Sequence, residues 1–396
     1  MKRWKAVHFV ICAILILQLA FSVEARELLV HSRQTRNTRA QEAPPSSFPP
    51  ISSFTGGFGV TITQQLSSNV SDFPAVSTAP GLTFRYDPAT QLFERSTTSL
   101  GPVFVERART IGQGKFEVGA SYIYIDFTEL DGRTVDGLFL PPRAGGSGGS
   151  LTLEKFNLRQ TFVPLFVTYG ITDRWDVNVL VPIISSDFNT RVSVGFFGSQ
   201  FTFSTKNSGV GVGDVFLRTK YRLFGFNQFN TAVGLNMRFP LGDERDLRSK
   251  GDYIVEPFVT LSQEYDRFDF HLATGLEVNA DDSDRSRVRY SGGFAVDLLR
   301  QQLALTVDLL GNSNLKTDNV VGRVPSFGGG AAPGLPGVPM LPQQFVSPLK
   351  TNIIDLGLGL KASIGPFTGF FTAFLPITDD GLRADWIPAV GIQMSF

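Results

Sequence analysis

From Gly114 to Phe396 the chain repeats one device: a stretch of roughly ten residues with large apolar side chains at every second position, followed by a connection. Successive side chains of an extended strand point to opposite faces, so a period of two demands strands with one greasy face and one polar face. The stretches fall at 114–127, 153–169, 173–184, 211–223, 230–240, 252–264, 267–279, 287–298, 302–313, 350–363, 366–376 and 385–396. Their connections alternate in length. Short turns ("GITD", "FGFNQF", "YDR", "LRQQ", "IGPF") follow the second, fourth, sixth, eighth and tenth stretches, and generally longer polar or Gly-Pro-rich loops fill the other gaps. Among those loops are "DGRTVDGLFLPPRAGGSGGS" and "VPSFGGGAAPGLPGVPMLPQQFVSP". That alternation predicts an all-β fold, a transmembrane antiparallel up-and-down β-barrel of about 12 strands, with turns on the periplasmic side and loops outside. The final stretch ends "AVGIQMSF" with no tail, and closure of the barrel pairs both edges of such a strand. The segment "NTRVSVGFFGSQFTFSTKN" leaves two readings open: an outer hairpin extending the third and fourth strands, or two more spanning strands, making 14.

The N-terminal residues 1–25 read as a signal peptide: "MKRWK" is a basic start, "AVHFVICAILILQLAF" an apolar stretch, and Val23, Glu24 and Ala25 a small-x-small cleavage site. The sole cysteine, Cys12, lies in that segment, so the mature chain offers no thiol for disulfide, metal or redox chemistry. Beyond it no apolar run approaches the roughly 18–20 residues of a membrane helix. Residues 26–53, rich in Arg, Gln, Ser and Pro, read as a disordered periplasmic tether. Residues 54–113 read as a plug or a periplasmic hairpin segment, "LTFRYDPATQLFERSTT" turning at Asp87-Pro88. The barrel itself spans 114–396. Lys+Arg and Asp+Glu cancel at 36 each, which argues against nucleic acid as a partner because phosphates would find no large positive field.

Three strands show the two faces most clearly. Val233, Leu235, Met237 and Phe239 oppose Ala232, Gly234, Asn236 and Arg238; Phe268, Phe270, Leu272, Leu276 and Val278 oppose Asp269, His271, Gly275, Glu277 and Asn279; Val215, Leu217, Tyr221 and Leu223 oppose Asp214, Phe216, Arg218, Lys220 and Arg222. Arg or Lys on the lipid face would cost about 2–4 kcal/mol each at the bilayer midplane, so the first set of each strand is expected to meet outer-membrane lipid. The inner face then mixes the cations Arg218, Lys220, Arg222, Arg238, Arg289 and Lys361 with the anions Glu256, Asp269, Glu277, Asp297, Asp308 and Asp355. Phe162, Phe166, Phe216 and Phe258 share the inward parity. Either they give an apolar solute a path, or they pack against a plug or an inward loop.

Local motifs do not point to catalysis. "GVGVGDVF" lacks the G-x-G-x-x-G spacing and opens a strand, so it reads as a flexible start of a strand and not as a phosphate cradle. His271 reads as a hydrogen-bonding lumenal residue. "NADDSDRSR" has oxygen ligands in Asp281, Asp282 and Asp284 but no loop glycine and no distal Glu, so it reads as a solvated outer loop and not a calcium site. No catalytic residue, metal or cofactor is expected.

The stretches "ERARTIGQGKFEVGASYIYIDF", "LFVTYGITDRWDVNVLVPI", "GVGDVFLRTKYRLF" and the terminal "GIQMSF" resemble the bacterial outer-membrane barrel family of the meta-pathway of phenol degradation, over roughly residues 100–396. More distantly the chain resembles the long-chain fatty-acid and aromatic-hydrocarbon transporter barrels. What the resemblance implies is a passive transporter or channel for small hydrophobic or aromatic molecules. The candidate lumen-lining residues are Arg218, Lys220, Arg222, Arg238, Glu256, Asp269, His271, Glu277, Phe162, Phe166, Phe216 and Phe258. The expected partners are outer-membrane lipid, a small hydrophobic or aromatic solute, and the outer-membrane assembly machinery through the C-terminal Phe396 strand. The alternatives are a structural or adhesive barrel locked by its inner salt bridges, and a lipid-hydrolysing barrel.

Overall fold

The computed structural model describes residues 75–78, 84–87, 92–95, 100–130, 132–140, 150–196, 199–226, 228–243, 246–299, 302–315, 319–323, 344–348 and 352–396. Residues 1–25, expected as a signal peptide, residues 26–53, expected as a tether, and the loop residues 324–343 lie outside the described residues. Twelve strands form one closed antiparallel ring. They are β1 (Phe116–Phe127), β2 (Ser150–Thr172), β3 (Trp175–Phe196), β4 (Val215–Phe226), β5 (Phe229–Phe239), β6 (Ile254–Tyr265), β7 (Phe268–Asn279), β8 (Arg287–Leu299), β9 (Leu303–Asn314), β10 (Asn352–Ile364), β11 (Phe367–Pro376) and β12 (Ile387–Ser395). Each strand pairs with its neighbours in sequence, and β12 returns to pair with β1.

Alternation sets the two faces as the sequence predicts. Leu165 and Val167 of β2, Phe268, Phe270 and Leu272 of β7, Leu358 and Leu360 of β10, and Val390 and Ile392 of β12 are exposed. Their neighbours Phe166, Thr168, Asp269, His271, Lys361 and Gln393 are buried. A continuous apolar exterior of this extent has lipid as its solvent: the protein is an outer-membrane barrel. Terminal Phe396 is part of the seam. Its carbonyl accepts from Phe116 N at 2.8 Å and its N–H donates to Phe116 O at 2.9 Å, while the Phe116 ring lies 6.0 Å from that of Phe396 and 4.5 Å from that of Tyr169.

The strand count settles at twelve. β2 and β3 are 23 and 22 residues long, against about 9–11 for a tilted crossing, so both project beyond the membrane. The lower part of β3, Trp175–Leu180, pairs with β4, and its upper part pairs with Ser199–Val212 from Ile183↔Val212 to Phe196↔Ser199. The segment 189–207 is therefore an outer hairpin, and the reading of 14 strands is corrected: its second strand runs on into β4 instead of crossing separately. Residues 84–87 pair with 92–95 as a hairpin, and 319–323 pair with 344–348.

Candidate functional site

The inward side chains divide the lumen into two walls. On β4–β8 the wall is charged. Arg238 pairs with Asp214 at 2.7 Å, Asn236 donates to Glu256 at 3.0 Å, and Glu277 receives Arg287 at 2.8 Å, Arg289 at 3.3 Å and Lys250 at 3.6 Å. Arg222 lies at the periplasmic rim, donating to the Asp173 carbonyl at 3.2 Å, and Asp269 is buried on the inward side of β7. His271 meets the Ser262 hydroxyl at 2.7 Å.

The opposite wall, on β1–β3 and β11, is apolar. Ile123, Ile125 and Phe127 of β1, Phe156, Leu158, Phe162 and Phe166 of β2, Leu180 and Ile184 of β3, and Phe370 and Phe374 of β11 form one buried cluster. Most of it occupies the outer half of the ring, as follows from the short turns marking the periplasmic end. The four phenylalanines singled out from parity sit in different settings. Phe162 is fully covered within the cluster. Phe166, within the cluster, and Phe258 cover glycines of the adjacent strand: a Cβ on Gly119 would fall 2.4 Å from Phe166 and one on Gly234 2.2 Å from Phe258. These are the cross-strand pairs Gly119↔Phe166 and Gly234↔Phe258, aromatic rings covering backbone that glycine leaves bare. Phe216 bridges the walls, packed against the cluster with the Arg238 guanidinium 5.2 Å above its ring.

Between the walls runs the segment 100–111, with 75–78 beside it. Its backbone is tied to inward side chains around the ring: Lys361 donates to the Leu100 carbonyl at 2.8 Å, Thr260 to that of Glu106 at 2.7 Å and Lys220 to that of Arg107 at 2.8 Å. Ala108 N donates to the Ser262 hydroxyl at 2.8 Å and Ile111 N to Asp176 at 3.0 Å. Where the segment leaves, Gly170 makes room, since a Cβ there would sit 1.9 Å from the Gly112 carbonyl. Phe104 stands edge-on to Phe374 and Phe370, at 4.8 and 5.7 Å, joining the segment to the apolar wall.

Glu106 anchors it to the charged wall. Its carboxylate receives Lys220 at 2.7 Å, Arg218 at 3.0 Å and Thr78 N at 3.0 Å. Burial pushes this carboxyl upward, but the Lys220 ammonium and Arg218 guanidinium outweigh it and hold the group at about 2. At the other end Arg109 pairs with Glu264 at 2.6 Å. The sequence singles out Arg218, Lys220 and His271 but not their partners. Glu106 and Ser262 carry no local signal, because what pairs them is the passage of an aperiodic segment through the ring.

The family described as "Putative MetA-pathway of phenol degradation" matches residues 111–324, more than half of the chain. The chain belongs to that family. The matched span begins where the lumenal segment ends, so the anchors from Leu100 to Thr110 lie ahead of it. A search of curated proteins finds no match. Among solved structures, an outer-membrane channel from Pseudomonas putida F1 is similar at 12% identity and TM-score 0.46, covering 73% of this chain and 98% of that one. The CymD monoaromatic hydrocarbon channel is similar at 8% identity and TM-score 0.39, covering 72% and 89%. A FadL homologue from Pseudomonas aeruginosa is similar at 7% identity and TM-score 0.30, covering 71% and 89%.

Proposed function

We propose that this barrel is a passive conduit for small hydrophobic or aromatic molecules, with residues 100–111 as a plug in its periplasmic half. The observation that carries the reading is the apolar wall. A purely aqueous pore has no use for Ile123, Ile125, Phe127, Leu158, Phe162 and Ile184 gathered on one side of its ring; they are buried together with Val76, Val103, Phe104 and Leu247, and an apolar solute that takes the place of those neighbours gains about 25 cal/mol per Å² of surface it covers. The family's description, which concerns phenol degradation, accords with an aromatic cargo. Passage requires the plug to shift, which means breaking its polar ties, the buried Glu106 clamp being the most costly of them.

A second reading draws on the buried clamp of Glu106 with Arg218 and Lys220: a barrel locked shut, with a structural role. Uptake separates the two. Vesicles whose outer leaflet is lipopolysaccharide, which by itself slows apolar solutes, should take up labelled toluene faster when they contain the protein. Equal uptake by protein-free vesicles would contradict the conduit and favour the locked barrel.

A further inference from the structure

The connection between β5 and β6 does not stay outside the ring. Arg248, Ser249 and Lys250 are buried, and Leu247 is 5% exposed within the apolar cluster that lines the opposite wall. Two ties hold the base of this loop to Asp214, from Gly242 N at 3.3 Å and Lys250 N at 3.2 Å. Its tip reaches across β3 and β4 to β2, where Gln160 donates to the Leu247 carbonyl at 2.9 Å and to the Ser186 hydroxyl at 2.9 Å. The glycines of "GVGVG" belong to this arrangement: a Cβ on Gly211 would fall 1.5 Å from the Arg248 guanidinium, so the motif seats the loop.

Leu247 is held at φ +59°, in the left-handed region that L side chains rarely adopt. Among the described residues the other non-glycine cases are Gln228 and Asp266, both polar and both in the short turns β4–β5 and β6–β7. A glycine would satisfy the backbone at 247 without strain. A leucine kept there points to a task for the side chain itself.

We infer that Leu247 is the size-selecting constriction of the conduit, an apolar tip that narrows the passage along the β1–β3 wall so that single-ring aromatics pass more readily than fused-ring ones. This rests on the transport reading above. The loop meets the apolar wall at Gln160, between Leu158 and Phe162, so a solute moving inward along that wall from Phe156 has to pass Leu247 to reach Phe166. A single apolar side chain in such a position sets shape and size limits and gives no charge selection, since Arg248 is turned to Asp246 and Lys250 to Glu277.

The test uses the full mature protein in lipopolysaccharide-bearing vesicles, comparing uptake of labelled naphthalene with that of labelled toluene. Leu247→Gly removes the side chain at a φ that glycine adopts freely, and should raise the naphthalene-to-toluene ratio about tenfold, the scale of a few methylenes in an apolar site. Leu247→Met should keep the wild-type ratio. Gly242→Val moves the loop without touching Leu247, because its Cβ would meet the Arg248 carbonyl at 2.5 Å, and should raise the ratio likewise. Toluene uptake intact with an unchanged ratio in Leu247→Gly and Gly242→Val overturns the inference alone. So does a Leu247→Gly protein that has lost heat-modifiable gel migration, which would make Leu247 a packing residue. No uptake of either solute by the wild type overturns the transport reading itself.

Discussion

The two walls of the lumen are cut from the same alternating strands yet solve opposite problems. On β4–β8 the wall is built of ion pairs: Arg238 with Asp214, Arg287 with Glu277, and Arg218 and Lys220 with Glu106 of the lumenal segment. On β1–β3 the inward positions of the outer half are mostly apolar, Ile123, Ile125, Phe127, Leu158, Phe162 and Ile184, with Gln160 and Ser186 set among them. The charged wall fixes what lies against it, because a buried charge that loses its partner is expensive. The apolar wall fixes nothing by direction and can exchange one greasy neighbour for another. On the proposed reading, holding the plug and admitting a solute fall to different sides of one ring.

Reversing both clamp cations breaks this division most severely. R218E/K220E sets three carboxylates together where the plug is anchored, and with about 3–5 kcal/mol at stake for each buried pair broken, the variant should release the segment. Single-channel conductance in planar bilayers should rise, and the heat-modifiable band should unfold at lower temperature. Phe162→Ala hollows the apolar wall and should cost about 3 kcal/mol in urea unfolding, with slower toluene uptake and unchanged ion conductance. Glu277→Gln weakens the charged wall away from the plug; it should cost about 1.5 kcal/mol in the same unfolding measurement and leave toluene uptake as it was.

Acid acts most gently. A carboxyl held below its ordinary value contributes stability that is complete above that value and is lost as pH falls toward the depressed one. For Glu106 the window runs from 4.5 down to about 2. The part of the conductance that the Glu106 clamp controls should therefore rise only below about pH 5. A step near neutral pH would assign the anchoring to other groups.

The charged wall was legible in the sequence because Asp269, His271 and Glu277 interrupt Phe268, Phe270, Leu272 and Leu276, so parity alone names the inward side. The apolar wall was legible only in Phe162 and Phe166, which share the inward parity, and not in Ile123, Ile125, Leu158 or Ile184. In "FVPLFVTYGI" both faces are greasy, so hydrophobicity does not tell inward Phe162 and Phe166 from lipid-facing Leu165 and Val167, and only the register carried from polar neighbours does. The count of twelve strands needed the structure too, since the extension of β3 and its hairpin partner alternates as well as any spanning strand. Glu106, Leu247 and the seat at Gly211 were hidden for a different reason. Each acts through a contact between distant parts of the chain, and neither period nor composition records that.

The account turns on where an apolar solute sits inside the ring, and the anomalous scattering of bromobenzene soaked into crystals of the mature barrel reads that position directly. The prediction is bromine density against the β1–β3 wall, in contact with Phe127, Phe156 or Phe162. Density confined to the lipid-facing surface, or lodged among Arg238, Glu256 and Glu277, would contradict it.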